Sequence, residues 1–465
     1  MKKTQGSTKL GTGAIWDIRE LKPMSRLLLG VQHLFAMFGA TILVPLLTGL
    51  DISTTLFMAG MGTLLFHLIT KGRVPAFLGS SFAFLGGYAA VAPMIDGQPN
   101  LEMLPYACGG VFFAGLVYVV MAALIKSFGV TKIMRYFPPV VTGPIIISIG
   151  LTLAPSAVGN ASTDWLLAAI AIGVIIYFNI WGKGMARIIP IILAIVISYG
   201  AALLLNRVDF SAMSGAQLVH LPLDPSRFMK LNFSAIISIM PIALATMMEH
   251  IGDITAISAT VEKNYIKDPG LHRTLIGDGL ATSMAAAFGG PANTTYGENT
   301  GVLVLTKVYD PKVMRMAACF AILLSFFPAF SGFIRSIPTA IIGGVSLILY
   351  GMISAVGVRN LVENHVDFTK SRNMIVAAAI FVCALGFTGQ VSGISFTIGG
   401  VEITLSGLAI AALVGIILNA VLPGKDYNFS DDKPSDTGVN FSGTDTTLEG
   451  KHFTWSYSDG EESIY

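Results

Sequence analysis

Apolar runs near or above the length needed to cross a ~30 Å hydrocarbon layer recur along this chain. Only 12% of its residues are charged and 53% are hydrophobic, giving a mean hydropathy of +0.71. A soluble globular protein carries roughly twice that charge fraction. The expected fold class is therefore an all-α polytopic membrane protein.

About fourteen membrane segments are predicted, with centres near Phe38, Leu64, Phe84, Leu116, Ile146, Ile172, Val196, Ala243, Ala281, Gly301, Leu324, Ile348, Ala379 and Leu413. With a cytoplasmic N-terminus, all 29 Lys and Arg except Arg207, Arg227, Lys230 and Arg335 fall in inside connections or the termini. That asymmetry predicts both termini in the cytoplasm. The first 26 residues are polar and basic and lack the apolar core of a signal peptide. The tail from about Lys425 is rich in Ser, Asp and Thr and is predicted to be disordered. Cys108, Cys319 and Cys383 lie in apolar runs without CxxC spacing and read as small buried hydrophobes. The net charge of +2 does not point to nucleic acid, because topology distributes the positive charges.

The chain echoes itself. "PAFLGSSFAF" from Pro75 and "PANTTYGENT" from Pro291 both open with Pro-Ala where a span is interrupted. "FPPVVTGPIIISIG" from Phe137 and "IPTAIIGGVSLILY" from Ile337 share Pro, then Gly five residues on, then a branched apolar run. These match spans three with ten and five with twelve, which predicts two inverted seven-span repeats. Non-helical backbone at membrane depth survives only where it is buried in protein or lines a cavity. The two breaks therefore predict a midplane substrate site between the repeats.

Ionisable residues inside spans are functional candidates, since burying them is costly. "MMEHIGDITAISA" in span eight carries Glu249, His250 and Asp253. Glu249 and Asp253 share one helix face, while His250 points about 100° away. Two carboxylates without a basic partner repel, so at least one is expected to hold a proton near neutrality, which suits a proton-coupled carrier. Glu298 in span ten is the partner acid. His33 reads as a structural hydrogen bond or a ligand contact, Asp278 as a packing or gating hydrogen bond, and His67 as a residue without a function. Phe82 and Tyr350 read as ring contacts to a flat ligand or as plain core. Two acids disfavour an anionic substrate, and no metal cage is evident. A protonated carboxyl complements a cyclic –NH–C=O– edge through two parallel hydrogen bonds, so a planar, neutral substrate is expected. No cofactor is expected; the coupling ion is the proton.

At these residues the sequence resembles the nucleobase–ascorbate transporter family, in its bacterial uracil permease branch, from about Met24 to Pro423. The family signature reads "ENTGVLVLTK" from Glu298, and "QHLFAMFGATILVP" from Gln32, "DPGLHR" from Asp268, "NTTYGEN" from Asn293 and "GGVSLILYG" from Gly343 are similar as well. The resemblance implies a uracil:proton symporter working by alternating access in the bacterial cytoplasmic membrane, usually as a homodimer. It implies a cytoplasmic segment 1–25, a core domain (26–135 and 233–335, spans 1–4 and 8–11), a gate domain (136–206 and 336–423, spans 5–7 and 12–14), and a tail 424–465. Short antiparallel strands in spans three and ten are implied to hold uracil between them. Glu249 and Glu298 would hydrogen-bond uracil, with the backbone N–H groups of Phe82 and Gly297. Tyr296, Ala40, Ser81 and Tyr350 would complete the substrate site. Glu249, Asp253 and His33 would serve proton coupling, with Asp253 standing where some uracil permeases have His. The alternatives are a proton-coupled carrier of another nucleobase such as xanthine or urate, an anion carrier of the same architecture, and an intramembrane aspartyl protease using Asp253 and Asp278. The expected protein is not an enzyme.

Overall fold

Capping chemistry sets where many helices begin. A computed structural model describes residues 13–95, 98–210, 219–387, 393–398 and 401–425. In the first half these form α1 (Pro23–Thr48), α2 (Ile52–Ile69), β1 (Leu78–Ser80), α3 (Leu85–Val91), α4 (Leu104–Phe128), α5 (Val130–Met134), α6 (Pro139–Ala161), α7 (Trp165–Trp181), α8 (Met185–Ile188) and α9 (Pro190–Leu204). The second half forms α10 (Phe233–Ile239), α11 (Ile242–Val261), α12 (Leu271–Ala287), β2 (Asn293–Thr295), α13 (Gly297–Thr306), α14 (Lys312–Ser325), α15 (Pro328–Arg335), α16 (Thr339–Glu363), α17 (Ser371–Gly386), β3 (Ile394–Ile398), β4 (Val401–Leu405) and α18 (Gly407–Val421). The side chains of Asp51, Asp164, Asn232 and Ser406 accept from the first N–H groups of α2, α7, α10 and α18. Proline opens α1, α6 and α9, where its missing N–H costs nothing.

Thirteen of the fourteen predicted centres fall on these helices, and Phe84 lies in the turn that leads into α3. Among the described residues, six helical stretches are long and apolar enough to cross a membrane unaided: α1, α2, α4, α6, α10 with α11, and α16. Helices α14 and α15 form a pair bent by 85°, and α7, α9, α17 and α18 are shorter apolar helices. The chain is thus a mostly helical polytopic protein. The predicted tail lies beyond the described residues.

Helices α2, α4, α12 and α14 pack on one another, and α1 lies along α14. A second set comprises α6, α7, α9, α16, α17 and α18, with α16 running along α6. The α6–α16 approach depends on glycine: a Cβ on Gly357 would sit 2.6 Å from the Ile147 nitrogen and 2.7 Å from the Gly143 carbonyl oxygen. Small residues permit such backbone contact between membrane helices.

Strands β1 and β2 come from opposite halves of the chain and pair antiparallel, Leu78 with Thr295, Gly79 with Thr294 and Ser80 with Asn293. Ser81 N–H donates to the Ala292 carbonyl at 2.9 Å, and Tyr296 N–H donates to the Phe77 carbonyl at 3.0 Å. Side chains of neighbouring helices fasten the pair. Thr63 of α2 accepts from Leu78 N–H at 2.9 Å, and Thr282 of α12 donates to the Asn293 carbonyl at 2.5 Å. Backbone that leaves the helix here is therefore satisfied inside the protein.

One feature departs from the sequence reading. Cys108 is buried, but Cys319 is exposed on α14 and Cys383 is half-buried. An apolar run in a membrane protein can face lipid as well as core, and sequence apolarity does not separate the two. The N-terminal segment also docks against the fold. Ile15 N–H donates to the Lys307 carbonyl and Tyr309 N–H to the Ile15 carbonyl, both at 2.8 Å. Ile15 and Ile18 bury with Val308 and Val313, and the Lys263 ammonium lies 3.9 Å from the centre of the Trp16 ring.

Candidate functional site

Between the two helix sets lies a cavity of about 560 Å³. Its floor is built where the strands end and new helices begin. Ser80 ends β1 with Ser81 and Phe82 after it, and Thr294, Thr295, Tyr296, Gly297 and Glu298 run through β2 into α13. Glu249, Gly252 and Asp253 project into it from α11. Four-residue spacing puts both acids of α11 on the cavity face, while His250 turns away and is buried. Opposite them stand Val345, Ile348 and Leu349 of α16.

The cavity is open, and this explains how acids inside the protein remain accessible. Glu298 is exposed and Glu249 is partly exposed, although both lie deep within the protein envelope. Their carboxylates share one water-accessible volume and repel each other. Among the described residues, no Lys or Arg forms an ion pair with Glu249, Asp253 or Glu298. Arg187, Asn179 and Ile189 to Ile192 also line the cavity.

The predicted residues separate into two groups. Glu249, Asp253, Glu298, Phe82, Ser81, Tyr296 and Gly297 line the cavity. Ala40, His33 and Tyr350 are buried behind the lining. Tyr350 meets Phe82 edge-on, with ring centres 5.9 Å apart. Tyr296 is held by its hydroxyl, which donates to the Ser80 carbonyl at 2.8 Å and lies 3.3 Å from the Thr41 hydroxyl. His67 is buried with Nε2 2.9 Å from the Ala76 carbonyl, which is a structural hydrogen bond.

Sequence reasoning missed four participants. Asn179 reaches the cavity from α7, and Arg187 from a connection assigned only a topological role. Thr41 braces Tyr296, and Thr295 donates to Asp253 Oδ2 at 2.9 Å. A threonine directly before Tyr296 was visible in "NTTYGEN", but its partner 42 residues away was not.

A cavity between helix sets, floored by two broken spans and lined with unpaired acids, defines a membrane carrier. The chain belongs to the Permease family (Xan_ur_permease), which it matches over residues 24–393, and it is a transporter rather than an enzyme. It is 42% identical to the uracil permease of Bacillus caldolyticus over 410 residues, covering 85% of this chain and 92% of that protein. It is 40% identical to the uracil permease of Bacillus subtilis (strain 168), covering 86% and 93%. With the uracil permease of Escherichia coli (strain K12) it shares 37% identity, covering 84% and 90%. The fold is similar to the transmembrane domain of a cyanobacterium bicarbonate transporter, BicA, with a TM-score of 0.57 at 15% identity, covering 78% of this chain and 96% of that one. It is also similar to SLC26A9, with a TM-score of 0.63 at 11% identity, covering 87% and 66%. These likenesses concern the fold alone. The chain is a multi-pass protein of the bacterial cell membrane.

Proposed function

We propose that this protein imports uracil by proton symport. One observation carries the reading: Glu249 of α11 and Glu298 of α13 line a single cavity, and neither forms an ion pair with a Lys or Arg among the described residues. The uracil permeases named above supply the substrate class. A carboxyl group that holds a proton offers a donor beside an acceptor, matching the –NH–C=O– edge of a pyrimidine. Substrate and proton then favour each other's binding at one centre, by thermodynamic reciprocity. Glu249 and Glu298 are assigned to that edge, with the N–H groups of Phe82 and Gly297, while Tyr296, Ala40, Ser81 and Tyr350 shape the pocket. Asp253 and Glu249 handle the proton, with His33 in support.

The finer architecture belongs to the same proposal. Fourteen spans form two inverted seven-span repeats, and a core domain (26–135, 233–335) moves against a gate domain (136–206, 336–423) in alternating access. Both termini are cytoplasmic and the protein works as a homodimer. With Arg187 in a predicted cytoplasmic connection, its place in the same cavity lining as the acids supports an inward-facing state. A carrier of xanthine or urate is the alternative. An anion carrier is disfavoured, since carboxylates stand where the anion would sit.

Uptake of labelled uracil into proteoliposomes, with and without an inward-acid gradient, tests the reading. Gradient-driven uptake that resists unlabelled xanthine and urate is expected, and Glu249→Gln should abolish it. Native-level coupled uptake by Glu249→Gln would sink the proposal.

A further inference from the structure

A sealed polar chain runs behind the cavity. Thr295 Oγ1 lies 2.9 Å from Asp253 Oδ2 and 3.3 Å from His250 Nδ1. His250 Nδ1 in turn lies 3.4 Å from Asp278 Oδ2, and both of those side chains are fully buried. The Asp278 carboxylate also receives Thr294 Oγ1 at 3.5 Å. Of these groups only Asp253, Thr295 and Thr294 reach the cavity lining.

Counting protons along this chain fixes its direction. A neutral imidazole carries one N–H. Nδ1 of His250 faces two oxygen acceptors, whereas Nε2 has no hydrogen-bond partner among the described residues. With His250 neutral and Asp278 ionised, the network assigns the proton to Nδ1. With Nδ1 a donor, the single Thr295 hydroxyl proton has one acceptor left, Asp253 Oδ2. Asp253 Oδ2 is then occupied as an acceptor, which leaves Oδ1 without that bond.

We propose that Thr295 is a positioning residue for proton coupling: anchored through His250 to Asp278, its hydroxyl fixes which oxygen of Asp253 takes up the proton. This rests on the proton-coupled reading given above. The other charged groups acting on Asp253 are Glu249 on its own helix, Glu298 on α13 and Asp278 on α12. Arg187 lines the same cavity and forms no ion pair with Asp253 among the described residues. Thr295 differs from all of these in that it neither titrates nor carries charge, so any effect it has on pH dependence acts through the groups it touches, Asp253 and His250, and an Asp253→Asn background separates the two.

The pH profile of uracil uptake into proteoliposomes tests this. Thr295→Val keeps the side-chain shape but removes the donor that favours the ionised carboxylate. Its profile should move to alkaline pH by about one unit, a tenfold change in proton affinity. Thr295→Ser should restore the native profile, and Thr295→Val should add no shift in an Asp253→Asn background. A Thr295→Val profile that superimposes on the native one overturns the proposal. Where Thr295→Val yields no folded protein, His250→Gln is read by the same criterion: a shift supports the proposal and coincidence overturns it. Native protein that takes up uracil without any pH dependence would instead refute the symport reading itself.

Discussion

Asn299 Nδ2 donates to the His33 carbonyl at 3.0 Å and lies 3.2 Å from His33 Nδ1, which ties the middle of α1 to the residue after Glu298. Both side chains are buried. Removing one partner of a buried hydrogen bond typically costs about 1–3 kcal/mol. Asn299→Ala should therefore lower the melting temperature in detergent and raise the KM for uracil about tenfold, because Glu298 loses its neighbour's anchor. Unchanged values for both would show that the tie does not position the acid.

Gly79 sits under Tyr296 with no room for a methyl. A Cβ there would lie 2.6 Å from the Thr41 hydroxyl and 2.6 and 2.7 Å from carbons of the Tyr296 ring. Overpacking of this kind costs about 1–3 kcal/mol. Gly79→Ala should displace Tyr296 and cut uracil uptake at least about tenfold. Gly86, where a Cβ meets nothing within 4 Å, provides the control. Gly86→Ala should leave uptake intact.

The docked N-terminal segment should contribute measurably to stability. Ile15 is fully buried, and replacing such a side chain with Ala costs about 2–4 kcal/mol. Ile15→Ala is expected to lower the melting temperature and to speed proteolysis of the segment before α1. Proteolysis at the native rate would mean that the contacts with Lys307 and Tyr309 contribute little.

Asp164 gives a pH-dependent test outside the membrane spans. Slight burial pushes its carboxyl up, but the Arg207 side chain and the N–H groups of Leu167 and Leu166 outweigh that and hold it below the ordinary value of 3.8. A group depressed in the folded state stabilises above its unfolded pKa and loses that contribution as pH falls through the folded one. Asp164→Asn keeps a good helix cap and removes the charge. The melting temperatures of native and variant protein should therefore differ at pH 7 and converge below about pH 4. A constant difference from pH 7 to pH 3 would exclude an electrostatic role.

What the sequence made legible was whatever carries a large free-energy penalty. Uncompensated carboxylates in apolar runs are expensive, so Glu249, Asp253 and Glu298 stood out, and they do share a cavity. Pro and Gly interruptions marked the breaks at Pro75 and Pro291 that became β1 and β2. Partnerships across long separations stayed hidden: Thr295 with His250, Thr41 with Tyr296, and Ile15 with Lys307 obey no spacing rule. The β3–β4 hairpin is a different case. "ISFTIGGVEITL" alternates on both sides of two glycines, a strand signal that the search for spans passed over.

The pairing of Leu78–Ser80 with Asn293–Thr295 joins residues more than two hundred positions apart. When the ribosome has released the first of these segments into the bilayer, its complement has yet to be synthesised. Until then the early segment lacks the backbone partners that β2 supplies, and Thr63 of α2 can receive only its Leu78 N–H. Assembly of the transport centre is thus a late event in biogenesis, and a polypeptide truncated before Asn293 should be cleared by quality-control proteases.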